Sequence, residues 1–316
     1  MTGDFLLAPL AELTHRALRE LIERFNPPGR QWGADEYFTE MISAAAFVAA
    51  GPFESWYVDG GPCPHKLVYQ VVGSDTDTLV RAIRLLDRME CLGIDINMGC
   101  SAPAITRTGA GVRWMADIEK AASLIRRARP HTRRRLSVKL CVGLTDDFEY
   151  LVRFCRRLEE EGLDLVTLHP RTAREKFKRK ARWNYVCALK KELGIPVAGN
   201  GDIASAQEML CRRDECDAVM VGRLAVRQPW IFAEAKSIQA GEKLPAVSIE
   251  ETGLQFLELL SRYQPPEFHM SRCRRFFGYF CDNLKWGNYI KNLLNRETSL
   301  SGVERAWRGH FWGEEH

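Results

Sequence analysis

Residues 136–169 read LSVKLCVGLTDDFEYLVRFCRRLEEEGLDLVTLH. Residues 136–141 are an apolar run of strand length, closed by a glycine. Residues 146–160 carry apolar side chains at three-and-four spacing behind an aspartate, the signature of an amphipathic helix with its N-terminal cap. Residues 165–169 are a second apolar run. A buried strand, a helix and another buried strand within 34 residues make a parallel βαβ unit, because two parallel strands need a crossover and the helix supplies it.

The same alternation extends both ways. Strand-like runs stand at 5–8, weakly at 34–38, at 67–71 and at 94–97 before the quoted segment, and at 195–199 and 218–221 after it. Helical patterns fill the gaps at 14–25, 75–90, 117–129 and 205–211. Eight such strands are the number at which a parallel sheet closes on itself, so the pattern predicts an α/β fold, a (β/α)8 TIM barrel. Past residue 245 no strand-like run appears, and helices are predicted over 249–263, 270–284, 289–294 and from 301. The stretch GEKLP at 241–245 reads as a linker. The expected division is therefore a catalytic barrel over 1–245 and a small all-helical domain over 246–316.

Composition narrows the class. The chain has 316 residues, 46% hydrophobic and 27% charged, which excludes wholesale disorder and a membrane bundle. No apolar run approaches the roughly 20 residues of a membrane span, and the first residues lack the basic start of a secretory signal, so a cytoplasmic location is expected. Ten cysteines are scattered without a CxxC pair, which fits reduced thiols and neither a disulfide framework nor a zinc site. The charge is unevenly placed. Segment 171–182, RTAREKFKRKAR, sets seven basic residues against one acid and so carries +6 of a chain whose formal total is +4, leaving the remainder at −2. Such a patch is the footprint of a polyanion, with Phe177 and Trp183 beside it to pack on sugar or base. A second basic cluster, 126–135, falls at the opposite end of the predicted strands and is assigned no function.

Barrel enzymes assemble their sites at the C-terminal ends of the strands. There the sequence places Ala8-Pro9-Leu10, Gln70, Asn97 followed by Cys100, Lys139, His169 with Arg171, Asn200-Gly201-Asp202, and Gly222-Arg223. Any one polar residue at a strand end is ordinary; a succession of them suggests a common mouth. The glycine turns after the last two strands suit a phosphate, which exposed backbone N–H groups can bind. Gln70, Asn97 and Lys139 across the mouth then describe a slot for a flat phosphorylated cofactor such as FMN, whose pyrimidine edge takes amides and whose reduced form takes a cation. Cys100 lies in the loop beyond Asn97, where a thiol, mostly protonated at neutral pH, suits a nucleophile or a proton donor.

These residues resemble the tRNA-dihydrouridine synthases, in particular bacterial ones. The likeness runs through LLAPLAELTHRALRELI at 6–22, Thr39-Glu40-Met41, YQVVGSD at 69–75, DINMGCSAPAITRTGAG at 95–111, SVKLCVG at 137–143, LHPRTAREKF at 168–177, VAGNGDI at 197–203 and AVMVGR at 218–223. Ser101 stands where members usually have proline after the cysteine, and Val112-Arg113-Trp114-Met115 where they have smaller residues before Met. The resemblance implies FMN held by Gln70, Lys139, His169, Asn200, Gly222 and Arg223, with Ala8, Pro9, Leu10, Gly201 and Asp202 beside them. It implies NADPH as the reductant and Cys100 as the proton donor. tRNA is the implied partner, held in part by the helical tail, with Asn97, Arg171, Lys176, Lys178, Arg179 and Lys180 toward the substrate. No metal, membrane association or stable protein partner is expected. Three other readings remain open: an FMN oxidoreductase of a small molecule, of the dihydroorotate dehydrogenase or old-yellow-enzyme type; a sugar-phosphate aldolase using Lys139 as a Schiff base; and a non-catalytic RNA binder.

Overall fold

The computed structural model describes residues 3–175 and 178–312. Its strands are β1 (Phe5–Leu7), β2 (Glu36–Phe38), β3 (Ile42–Ser43), β4 (Leu67–Val72), β5 (Gly93–Met98), β6 (Arg135–Gly143), β7 (Leu165–Thr172), β8 (Val197–Asn200) and β9 (Ala218–Val221). All pair in parallel in the order β2-β1-β9-β8-β7-β6-β5-β4, and a pairing of β2 with β4 closes the ring. This is the TIM barrel predicted, with each of the eight expected strands present. The two-residue β3, which pairs only with β4, has too little length to register as a periodic run.

Four of the helices between the strands start where the sequence supplies a side-chain cap. The side chains of Asp75, Asp117, Asp147 and Ser205 accept the N–H three residues on, at 2.8, 3.0, 2.8 and 3.1 Å. Each satisfies a donor that the first turn leaves without a helical partner, a contribution of about 1 kcal/mol. The faces they turn to the sheet are apolar, as with Leu79, Ala82, Ile83 and Leu86, all fully buried. Helix Trp183–Glu192 was not predicted, because the basic run before it and Lys190-Lys191 within it dilute the periodicity.

The barrel interior is divided by chemistry. One arc is a packed apolar cluster of Leu6, Ala8, Phe38, Val68, Leu165, Ala198, Ala218 and Met220. The other is polar: Arg135 grips the fully buried Glu36 with two bonds of 2.6 and 2.5 Å, and above them lie Asp95, Ser137, Gln70 and Asn97, all buried. Such a filling fixes side chains and costs stability unless every polar group is partnered.

By its internal packing the chain divides into one compact unit of Met1–Pro9 with Asp35–Val221 and a second of Leu10–Ala34 with Gly222–His316. The first holds the whole barrel sheet. The second gathers helix Arg16–Glu23, helices Arg223–Arg227 and Ile231–Gln239, and the four tail helices Ile249–Tyr263, Pro266–Phe280, Gly287–Asn295 and Leu300–Trp312. Its core is aromatic: Phe256 stacks on Phe276 at 3.6 Å, and Phe277, Phe280 and Trp307 close around them. This partition by packing groups residues 10–34 and 222–245 with the tail, and the division into 1–245 and 246–316 stays an expectation about function.

Candidate active site

The parallel register brings the sequence-selected residues of the first unit to one end of the sheet. Gln70 pairs with Asp95, Asn97 with Lys139, Lys139 with Thr167, and Cys141 with His169. Because side chains alternate, positions two apart on a strand share a face; Asp95 and Asn97 of β5 therefore stand on the same inward side as Lys139 of β6 and His169 of β7.

Gln70 is fully buried and donates from Nε2 to Asp95 at 2.7 Å, while its Oε1 accepts from Asn97 Nδ2 at 3.0 Å. An amide group has two N–H groups and two acceptor positions, so one of each remains for a ligand. Asn97, 7% exposed, turns Oδ1 to the following loop and accepts the N–H groups of Cys100 at 2.9 Å and Gly99 at 3.3 Å. The loop is closed from its far side: the Cys100 carbonyl accepts the Val112 N–H at 3.0 Å. Gly111 has φ +62°, and a Cβ there would lie 2.4 Å from that carbonyl oxygen. Trp114 accounts for the unusual 112–115 stretch, being 2% exposed with Nε1 donating to the Gly73 carbonyl at 2.8 Å. The Cys100 thiol itself is half-buried.

Lys139 is half-buried and forms neither an ion pair nor a hydrogen bond among the described residues. Desolvation draws its pKa below the usual lysine value, opposed chiefly by the nearby Asp95 carboxylate. Beside it in register, the Thr167 hydroxyl is buried without a hydrogen-bond partner among the described residues. An unpaired cation, an orphaned hydroxyl and an amide with spare capacity on adjoining strands form a donor set that fits the polar edge of a flavin.

At the end of β7 a guanidinium orders the neighbourhood. Arg171, 3% exposed, binds both oxygens of Asp202 at 2.7 and 2.5 Å, donates to the Arg179 carbonyl, and donates from Nη1 to His169 Nε2 at 2.8 Å. A guanidinium has no acceptor, so Nε2 of His169 is the acceptor and the ring is neutral with its proton on Nδ1. Asp202 also accepts the Ala181 N–H at 2.8 Å, which ties the basic loop to the turn after β8. Gly201 in that turn has φ +129°, and a Cβ there would come within 2.9 Å of the His169 ring.

The sequence reading gives Asn97 and Arg171 to the substrate; in the structure each also bonds protein groups as described above, and each keeps an N–H beyond those bonds. The Asp202 carboxylate likewise serves Arg171 and the loop. Trp183 is not available to RNA: it is 4% exposed, and its Nε1 donates to the Gly201 carbonyl at 3.0 Å. Lys176 and Phe177 lie outside the described residues. Arg174, Lys178, Arg179 and Lys180 are exposed and make no ion pair among the described residues, whereas Arg182 pairs with Glu175 at 2.7 Å. Asn200 donates to the Met220 carbonyl at 2.8 Å and is half-buried. Ala8 belongs to the apolar arc. Leu10, Gly222 and Arg223 fall in the second unit, Gly222 directly following β9. The cluster at 126–135 is structural, with Arg129 on Asp164 at 2.6 Å and Arg135 on Glu36. Asp95, Ser137 and Thr167 were missed by sequence reasoning, although an acid two residues before Asn97 in a buried run was a usable signal.

The dihydrouridine synthase family model matches residues 6–298. A probable tRNA-dihydrouridine synthase of Aquifex aeolicus is 32% identical, the match covering 96% of each chain. The chain belongs to the dihydrouridine synthase family. A relative in Helicobacter pylori, also called a probable tRNA-dihydrouridine synthase, is 28% identical over 96% of this chain and 91% of its own. Among solved structures, family membership is accompanied by a distant likeness of fold. A 2-naphthoyl-CoA reductase complex aligns with TM-score 0.55 at 9% identity over 76% of this chain and 50% of that one. The old yellow enzyme homologue of Zymomonas mobilis aligns with TM-score 0.51 at 13% identity over 84% and 94%. No helix among the described residues is long and apolar enough to cross a membrane.

Proposed function

We propose that this chain reduces particular uridines of tRNA to 5,6-dihydrouridine, with FMN as its flavin and NADPH as the reductant, in the cytoplasm. The observation that carries the reading is the register of β5 against β6, which sets the Cys100 loop beside Lys139 in a member of this family. The flavin, when bound, supplies a hydride to C6 of the uracil ring. Gln70 holds the pyrimidine edge with its remaining N–H and acceptor, Lys139 offsets negative charge there, and Thr167 donates or accepts beside it. His169, neutral, serves as an N–H donor from Nδ1 and not as a second cation. Asn200, Gly201, Gly222 and Arg223 are assigned to the phosphate, and Ala8, Pro9 and Leu10 to the wall beside them, on the family resemblance and their positions after strands. Cys100 gives its thiol proton to C5.

A uridine inside folded RNA presents neither carbon, so the substrate base must be extruded. Arg174, Lys178, Arg179 and Lys180, exposed and cationic, are assigned to its phosphates, and Lys176 is assigned with them by sequence. The test is to purify the protein, record its flavin spectrum, and incubate it with NADPH and tRNA lacking dihydrouridine, mapping the product position by position. Dihydrouridine at discrete sites is expected. A colourless protein that FMN does not reconstitute, or NADPH oxidation coupled only to a small molecule, would reject the reading.

A further inference from the structure

The hydrogen bonds beneath Cys100 run in one direction. Asp95 of β5 is fully buried, and its carboxylate accepts from Gln70 Nε2 and from Ser137 Oγ, both at 2.7 Å. An amide side chain alone can present either its oxygen or its nitrogen to a neighbour. A carboxylate removes that freedom, because it has only acceptors. Facing Asp95, Gln70 must present nitrogen, which leaves Oε1 for Asn97 Nδ2 at 3.0 Å. Asn97 in turn has its oxygen left for the loop, where it receives the Cys100 and Gly99 N–H groups at 2.9 and 3.3 Å. Reversing Asn97 would set N–H against N–H at the loop, and reversing Gln70 would set oxygen against the carboxylate and N–H against the Asn97 N–H.

We propose that Asp95 is a positioning residue for Cys100, acting through the fixed polarity of the Gln70 and Asn97 amides. Burial pushes its carboxyl up to about 6, with Ser137, Gln70 and Lys139 opposing, so the acceptor-only form is present at neutral pH. The same chain fixes which ends of Gln70 are spent, and so which remain for a ligand. The catalytic meaning rests on the proposed role of Cys100 as proton donor; the hydrogen-bond chain does not.

The test is residue-resolved hydrogen exchange of the Cys100 and Gly99 amides in the full chain. The Ala121 amide, bonded to the Asp117 carbonyl at 3.1 Å, reports global opening. Asp95→Leu removes the acceptor and is expected to speed exchange at Cys100 by about tenfold relative to Ala121. Asp95→Asn keeps an acceptor but can also present nitrogen to Gln70, so it restores the freedom to flip and is expected to speed exchange at Cys100 by an intermediate amount, about threefold. Gln70→Met cuts the chain without altering Asp95, and should match Asp95→Leu; it decides the matter if that variant does not fold. Unchanged Cys100 exchange in Gln70→Met, or Asp95→Asn exchanging as the wild type does, would overturn the proposal. Uridine reduction by Cys100→Ala at the wild-type rate would instead remove the proton-donor assignment while leaving the exchange result standing, so the two readings fail separately.

Discussion

Cys100 is held by its backbone, through Asn97 on one side and Val112 on the other, which leaves the sulfur free of structural duty. Cys100→Ala should therefore keep the flavin and tRNA affinity while uridine reduction falls by about 10² to 10⁴, the range for losing a general acid. Single-turnover measurement of dihydrouridine checks this, and a loss under about tenfold would refute the role. Cys155, fully buried on helix Phe148–Glu160, is the control, and Cys155→Ala should leave the reaction step intact. Arg171 has the opposite character. Arg171→Leu takes the cation from Asp202 and a donor from the Arg179 carbonyl, and breaking such a buried pair costs about 3 to 5 kcal/mol. Because the Asp202 side chain is 33% exposed, the lower end is expected in denaturant unfolding, and a loss under about 1 kcal/mol would mean solvent replaces the guanidinium freely.

The basic loop and the first helix are each governed by charge, in opposite ways. In the loop, Lys178, Arg179 and Lys180 are solvated and exposed, so neutralising all three should weaken tRNA binding. The slope of log affinity against log salt should become shallower by up to about 0.7 to 0.9 for each phosphate that a side chain no longer neutralises. An unchanged slope, with flavin content also unchanged, would mark the run as a solvated face. At the start of helix Arg16–Glu23, His15 is 2% exposed with neither ring nitrogen hydrogen-bonded among the described residues. Burial, then Arg272 and Arg19, hold its pKa well below the usual histidine value. Below about pH 6.5 the unfolded chain binds a proton that the folded chain refuses, so stability falls as pH drops, by roughly 1.4 kcal/mol per unit until the folded pKa is reached. Above that pH His15 contributes no slope. His15→Leu should flatten the acid side of a stability-versus-pH curve measured by denaturant unfolding, and identical curves would show that His15 titrates alike in both states.

At the scale of the whole chain, the division by packing predicts how truncation behaves. In the second unit Arg16 lies 3.8 Å over the Tyr263 ring, Arg24 pairs with Glu258 at 3.2 Å, and His15 lies 6.2 Å from Phe256. A chain ending at residue 245 loses all three partners. It should aggregate or unfold at lower temperature than the full chain, as read by size-exclusion chromatography and thermal unfolding. A monomeric product with an unchanged midpoint would favour the boundary at 245.

The sequence by itself determined the barrel, because a parallel strand buried on both faces must be an apolar run and its crossover an amphipathic helix, both local patterns. It also determined the mouth residues Gln70, Cys100, Lys139 and His169, since the strand ends follow from those runs and the motifs are contiguous. Only the tertiary structure decided what these residues touch. That Asp95 orients Gln70, that Arg171 bonds Asp202 and His169, and that Trp183 lies under the turn after β8 depend on register between strands distant in the chain. Likewise the partition that joins residues 10–34 to the tail follows from side chains meeting across more than two hundred positions, as Arg24 meets Glu258. Local periodicity carries no information at that range.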